Sequence, residues 1–244
     1  MRTQPYQKRS YRGHTISNDL TYYNVIVEES DLFIGTDRTL SVDAYNFVYK
    51  YRSYINDYIF LYPEFRDLRV PADASDPHAP AIIQSMISTS KLCGVGPMAA
   101  VAGAVAEFVG CDLRQYSRNV IVENGGDIFC DTLFDVAVSV YAGTSPFSNR
   151  LSLIIKSSDM PIGICTSSGT VGHSQSYGSS DAVCVLSPSA TLSDAAATAI
   201  GNCVTDEASL SHAISFGKKI EGVNGILIIV EGKMAAWGSI ELSE

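Results

Sequence analysis

The chain has 244 residues, is 46% hydrophobic and 18% charged, and carries a formal net charge of −9. That length and apolar content support a sizeable core, as one domain or as two lobes divided near residue 90 (1–90 and 91–244), and exclude a disordered chain. The acidic balance argues against a nucleic-acid backbone or an anionic membrane as partner, since the one basic cluster is Lys8, Arg9 and Arg12 around Tyr11.

Taken in order, residues 1–20 are polar and irregular, and contain no apolar segment of the kind a secretory signal carries. Tyr22–Val27 and Asp31–Gly35 read as a β-hairpin turning at Glu28-Glu29-Ser30. A long helix follows to about Tyr62, with Thr39 or Ser41 as its N-cap and Pro63 as its stop. Its apolar positions, Leu40, Ala44, Phe47, Val48, Tyr51, Ile55, Tyr58 and Ile59, recur at three- and four-residue steps. Six tyrosines, at 45, 49, 51, 54, 58 and 62, line it. They are either amphipathic packing at the edge of a core or a face for a planar ligand or a second chain, so a homodimer is one expectation. Phe65–Ala72 is expected to be extended, Asp73–Pro80 a loop, and Ala81–Thr89 a short helix.

Gly94-Val95-Gly96-Pro97 leads into an alanine-rich helix over Met98–Val109, where Pro97 suits the first turn. Gly94-x-Gly96-x-x-Ala99 imitates a dinucleotide-binding fingerprint, but Ser88–Lys91 is a poor preceding strand. Two glycines before a helix N-terminus still leave backbone N–H groups able to face an anion, which makes Gly96 a candidate. From Asn119 the pattern becomes strands at 119–123, 127–129, 134–142, 151–157, 162–166 and 181–186. Helices near 192–204 and 207–216 come next, and a hairpin of 225–231 and 235–242 closes the chain. Mixed helices with several adjacent strands indicate an α+β layered fold with a mostly antiparallel sheet. No apolar run reaches the roughly 18 residues of a membrane span, and a cytoplasmic protein is expected. Cysteines at 93, 111, 130, 165, 184 and 203 form no Cys-x-x-Cys pair, so reduced, core-packed thiols are expected rather than a zinc site.

The chemistry concentrates in two stretches of small and hydroxylated residues, 166–202 and 123–127. Asp194 and Thr198 stand four apart on a predicted helix and so share a face, presenting two hard oxygens suited to Mg²⁺. The alternative is that Ser193 or Asp194 caps the helix. Asn124-Gly125-Gly126-Asp127 is either a plain turn or a place where a diphosphate lies against backbone N–H groups. Thr166-Ser167-Ser168-Gly169 is either an ordinary loop or a hydroxyl-lined anion cradle. His173, alone among small residues, is a candidate acid/base or phosphate ligand, against the plainer reading of a solvated loop histidine.

Together these segments resemble the ApbE superfamily, the FAD:protein FMN transferases, and most closely its short branch without an export signal. Ser193-Asp194-x-x-x-Thr198-Ala199 is similar to the family's metal segment, Asn124–Asp127 to its Gly-Gly-Asp turn, and Thr166–Gly169 to its Thr-Ser-Gly loop. The resemblance implies that Asp194 and Thr198 hold Mg²⁺, that FAD or FMN is the phosphorylated ligand, and that FMN is passed to a threonine of a target protein. The sequence departs from the family pattern in two places. No lysine occurs over Met98–Gly103, and Ser174–Ser180 follows His173 where the family has an Asp-Pro-x-Thr-Gly segment.

Overall fold

The computed structural model describes residues 20–72, 76–167 and 178–243. In chain order, β1 (Thr21–Val27) and β2 (Ser30–Thr36) form a hairpin, followed by α1 (Ser41–Leu61), α2 (Ala81–Cys93) and α3 (Val101–Leu113). Strands β3 (Val120–Asn124), β4 (Asp127–Asp131), β5 (Val136–Ser139), β6 (Ser152–Ile155), β7 (Ile162–Ser167) and β8 (Ala182–Ser187) come next. Helices α4 (Ala190–Gly201) and α5 (Leu210–Gly217) precede β9 (Gly225–Val230), β10 (Lys233–Gly238) and the short β11 (Leu242–Ser243). Eight strands make one sheet in the order β1-β2-β3-β4-β7-β8-β9-β10, antiparallel at every pairing. Strands β11, β6 and β5 form a second, three-stranded sheet. The fold is α+β, as the pattern of elements predicts.

The period-two alternation of strands splits the apolar residues into two layers. Val183 and Val185 of β8, with Ile226, Ile228 and Val230 of β9, join the helices in the larger core. Ala182, Cys184 and Leu186, with Leu227 and Ile229, join the small sheet on the other side. With both faces covered, every residue of β8 and β9 is buried.

Helix α4 lies deepest, and all twelve of its residues are buried. Two glycines let it in. A Cβ on Gly103 of α3 would stand 2.2 Å from the Ala190 carbonyl oxygen, and one on Gly163 of β7 would stand 2.3 Å from the Ala190 Cα. The alanines of α4 therefore serve close packing. Glu107 completes the junction: its Oε2 accepts from Ser189 Oγ (2.7 Å), Thr191 N (2.8 Å) and Thr191 Oγ1 (2.9 Å).

Several local expectations are corrected. Leu40 occupies the α1 N-cap position without a side-chain cap, in place of Thr39 or Ser41. Pro63–Arg66 is a 3₁₀ turn, so 65–72 is not extended, and α2 runs on to Cys93, where Gly94 ends it at φ 72°. That left-handed residue is one a glycine adopts without strain. Met98–Ala100 belongs to a 3₁₀ turn, with α3 proper starting at Val101. A helix rather than a strand precedes Gly94–Gly96, which removes the dinucleotide fingerprint. Of the six cysteines, Cys93, Cys130, Cys165 and Cys184 are buried, Cys203 is half-buried, and Cys111 is exposed rather than in the core. Among the described residues, no single helix is long and apolar enough to cross a membrane.

Candidate functional site

Asp194 is the fifth residue of α4, so it does not cap the helix; the cap is Ser189, whose hydroxyl accepts from Leu192 N at 3.2 Å. Ser193 is likewise interior, and its hydroxyl bonds to the Gly163 carbonyl and to Ser187 Oγ. The Asp194 carboxylate faces the first turn of α3, and its Oδ2 accepts from Gly103 N at 2.8 Å. Burial pushes its pKa up to about 7, against the opposing pull of the Gly103 and Ala102 N–H groups. Among the described residues no basic side chain contributes to that balance. Thr198, one turn further along α4, is also buried.

The β3–β4 hairpin reaches the same turn of α3. Asn124 Nδ2 donates to the Ala102 carbonyl at 3.1 Å. Gly125 and Gly126 have φ of 73° and 113°, the two positive values that a two-residue type I′ hairpin loop requires. The plain-turn reading of these glycines is therefore true of the backbone, and the turn is also placed beside Asp194. Glu123 Oε1 accepts from Gly126 N (3.2 Å), and Thr166 N donates to the Gly126 carbonyl (3.2 Å), which ties the hairpin to the end of β7.

Register explains which side chains meet. Asn124 pairs with Asp127, and Asp127 with Cys165. All three share the helix-bearing face of the sheet, and alternation returns Ser167 to that face. Asp127 and Asp194 both act on Cys165: burial first, then Asp127, then Asp194 hold its thiol well above the ordinary range. Cys93 at the end of α2 is raised to about 12 by burial and then by Asp194. Thr166 points to the opposite face, where its hydroxyl donates to Cys184 Sγ at 3.3 Å. Ser167 is buried, and its hydroxyl has no hydrogen-bond partner among the described residues.

The structure thus brings Asn124 and Asp194 to the first turn of α3 at Ala102–Gly103 and sets Asp127 and Asp194 to act on the same Cys165; Gly125 and Gly126 form the turn beside Asn124, Ser167 shares that face of the sheet, and Thr198 stands on the same helix as Asp194. Gly96 stands in the turn before α3, where a Cβ would meet the Leu68 carbonyl oxygen at 1.9 Å, so close backbone packing accounts for the glycine. Ser168, Gly169 and His173 lie outside the described residues. Sequence reasoning missed Gly103 and Glu107, although each left a signal. Gly103 is an isolated glycine inside a helical pattern, which commonly marks a close approach. Glu107 is the one charge in an apolar run. Two surface cavities lie elsewhere: about 510 Å³ beside Asp76, Gln84, Ser88 and Lys91, and about 130 Å³ beside Asp159, Leu186 and Asn224.

Residues 14–236 match the family model described as AbpE bacteria. A UPF0280 protein of Methanothrix thermoacetophila is 41% identical over 190 residues, covering 78% of this chain and 79% of the relative. Another, from Methanococcus aeolicus, is 37% identical over 212 residues, covering 84% and 85%. The flavin transferase ApbE from Vibrio cholerae superposes with a TM-score of 0.59 at 13% identity, over 90% of this chain and 97% of that one. The apo flavinyl transferase ApbE of Pseudomonas stutzeri gives 0.56 at 12% identity, over 90% and 94%. At such identities the likeness concerns the fold. On the family match, the chain belongs to the family described as AbpE bacteria, with UPF0280 proteins among its relatives and a fold shared with the ApbE flavin transferases.

Proposed function

We propose that the chain binds a flavin nucleotide, FAD or FMN, as its Mg²⁺ complex where Asp194, the first turn of α3 and the Gly125–Gly126 hairpin meet, and that it carries out flavinyl or phosphoryl transfer there, in the cytoplasm. The observation that carries this reading is Asp194 itself. A carboxylate buried in the centre of the fold, held among the described residues by backbone N–H groups alone and with its pKa raised to about 7, adds nothing to stability on its own. A divalent cation is the partner that would ionise it.

The donor set suits Mg²⁺, which takes one or two protein oxygens and completes its octahedron with phosphate and water. Asp194 and Thr198 supply a carboxylate and a hydroxyl. No group of three His, Cys, Asp or Glu side chains that could hold a metal occurs among the described residues, so an all-protein cage is absent there. The hydroxyl of Ser167, buried and without a partner among the described residues, would give a phosphate oxygen a donor. When bound, Mg²⁺ would neutralise the diphosphate and polarise its P–O bonds. The chain's own part is to hold the ion through Asp194 and Thr198 and to orient the phosphates with Asn124, Gly125, Gly126, Asp127 and Ser167; the hydroxyl of Thr166, expected to join them, is turned to the other face of the sheet and takes no part. Under the family resemblance, Gly96, Ser168 and Gly169 extend that cradle and His173 moves the proton. The names of two proteins sharing this fold, both flavin transferases, support flavin as the ligand.

The test is equilibrium binding of FAD and FMN with and without Mg²⁺, on the wild type and on Asp194→Ala. Binding should require the metal and should fall at least tenfold in the variant; equal affinity in both proteins would remove the metal role. One observation favours a second reading, a binder without turnover: Met98–Gly103 has no lysine where the family's helix carries one. Incubation with FAD and Mg²⁺, followed by analysis for FMN and AMP, separates the two.

A further inference from the structure

Two sets of polar contacts join α3 to α4. Gly103 N donates to Asp194 Oδ2 at 2.8 Å. Four residues further along α3, and so on the same face, Glu107 takes the start of α4. Its Oε2 accepts from Ser189 Oγ at 2.7 Å, Thr191 N at 2.8 Å and Thr191 Oγ1 at 2.9 Å. A negative charge at that end also suits the helix dipole. Among the described residues, Glu107 is the one charged side chain bonded to the first turn of α4, and its bonds go to none of the residues assigned to metal or phosphate.

Packing alone gives this seam little to hold by. Gly103 and Gly163 admit the backbone of Ala190, and α4 continues with Ala195, Ala196, Ala197 and Ala199. Helices in contact commonly set their register by ridges of side chains lying in grooves. Glycine and alanine make such ridges shallow, so directional bonds must fix where α4 sits. On its sheet side, Ser193 Oγ bonds to the Gly163 carbonyl at 3.0 Å and to Ser187 Oγ at 2.9 Å. On its α3 side the anchor is Glu107. Thr191 and Asp194 are three residues apart and therefore adjacent on the helix surface. A hold on Thr191 thus sets both the height and the rotation at which Asp194 meets Gly103, and Thr198, one turn beyond, follows.

We propose that Glu107 is a positioning residue of the metal site, an inference that rests on the reading of Asp194 and Thr198 as Mg²⁺ ligands. By holding the first turn of α4 it seats Asp194 on the Gly103 N–H and aims the Asp194–Thr198 edge of the helix. Mg²⁺ demands near-ideal octahedral geometry, so a small displacement of either oxygen weakens its hold. Without Glu107, α4 stays buried but loses its defined seat against α3, and the two oxygens lose their fixed place beside Ala102–Gly103.

The experiment compares wild type, Glu107→Ala, Glu107→Gln and Val138→Ala, each shown by circular dichroism to be folded. Val138 is buried in the core on the other side of the main sheet, so its truncation lowers stability without touching α4. Two quantities are read: the Mg²⁺ dissociation constant in the presence of FAD, and the Gly103 amide proton shift by NMR in metal-free protein, which reports the bond to Asp194. Glu107→Ala should raise the dissociation constant about tenfold, as loss of a group that orients a metal ligand commonly does, and should move the Gly103 signal upfield. Glu107→Gln, whose single oxygen accepts the same three bonds, should stay close to wild type in both, as should Val138→Ala. Where Glu107→Ala does not fold, Glu107→Asp, one methylene too short for Ser189 and Thr191, takes its place. A folded Glu107→Ala protein with wild-type Mg²⁺ affinity would overturn the proposal and leave the metal reading intact, and so would an equal loss of affinity in Val138→Ala. A wild type that binds no Mg²⁺, with the Gly103 signal still displaced in Glu107→Ala, would instead strike the metal reading and keep Glu107 as the residue that seats Asp194.

Discussion

Replacing Asp194 by Asn should make the metal-free protein more stable above neutral pH. The carboxyl titrates at about 7 in the folded chain against 3.8 unfolded. Three pKa units correspond to about 4 kcal/mol of penalty on the ionised form. Between pH 4 and 7 the folded state binds more protons at this group than the unfolded state, so wild-type stability falls as pH rises through that window and levels off above it. The Asn Oδ1 keeps the Gly103 N–H bond, while its new amide N–H, buried without a partner, costs about 1–2 kcal/mol. The net gain for Asp194→Asn at pH 8 is then roughly 2–3 kcal/mol, or some 8 °C in Tm for a chain of this size. At pH 4 the advantage should vanish. Mg²⁺ at pH 8 should stabilise the wild type alone, by about 2.7 kcal/mol at a hundredfold excess over its dissociation constant. Urea titrations at pH 4 and pH 8, with and without Mg²⁺, read all four states. A difference between the proteins that does not change with pH would refute the reasoning, as would an Asn variant less stable than wild type at pH 8 without metal.

Three further outcomes follow from the packing around α4. Gly103→Ala would place a methyl 2.2 Å from the Ala190 carbonyl oxygen and 2.7 Å from Asp194 Cβ. Despite the better helix propensity of alanine, it should cost about 1–3 kcal/mol in urea titration and weaken Mg²⁺-dependent ligand binding. Glu107→Ala strands three donors at the start of α4 and should lose about 2 kcal/mol by the same assay; Glu107→Gln, which keeps an acceptor oxygen, should lose less. In timed alkylation at pH 8 read by mass spectrometry, Cys111 should react first and Cys203 next. Cys93, Cys130, Cys165 and Cys184, buried and with raised pKa values, should stay unmodified until the chain unfolds.

Much of the framework is legible without coordinates because it rests on local periodicity. The 3.6-residue stripe from Leu40 to Ile59 and the strand expected at 134–142 each survive in the fold with their ends shifted by a few residues. The hairpins, too, follow from turn chemistry at Gly125-Gly126 and Gly232. What periodicity cannot convey is which helix lies beside which. Nothing between residues 94 and 113 announces that its glycine would meet Asp194, 91 positions later, or that Glu107 would receive the start of α4. The α1 N-cap position likewise falls on Leu40, whose side chain is buried in the larger core, and not on the capping residues beside it. The candidate site was half visible, since Asp194 and the Asn124–Asp127 turn were chosen for their chemistry. Their shared contact with Ala102–Gly103 comes only from the fold.

The wedging of α4 between Gly103 and Gly163 separates what must stay constant from what is free to change. A carboxylate mounted on a helix with no exposed residue cannot be re-aimed by small edits, because Gly103 and Gly163 leave no room for a side chain against the backbone of Ala190. Variation in ligand preference across relatives should therefore accumulate in the β3–β4 turn and beyond the end of β7. An engineer seeking a new substrate would do well to diversify those two places and leave the alanine helix untouched.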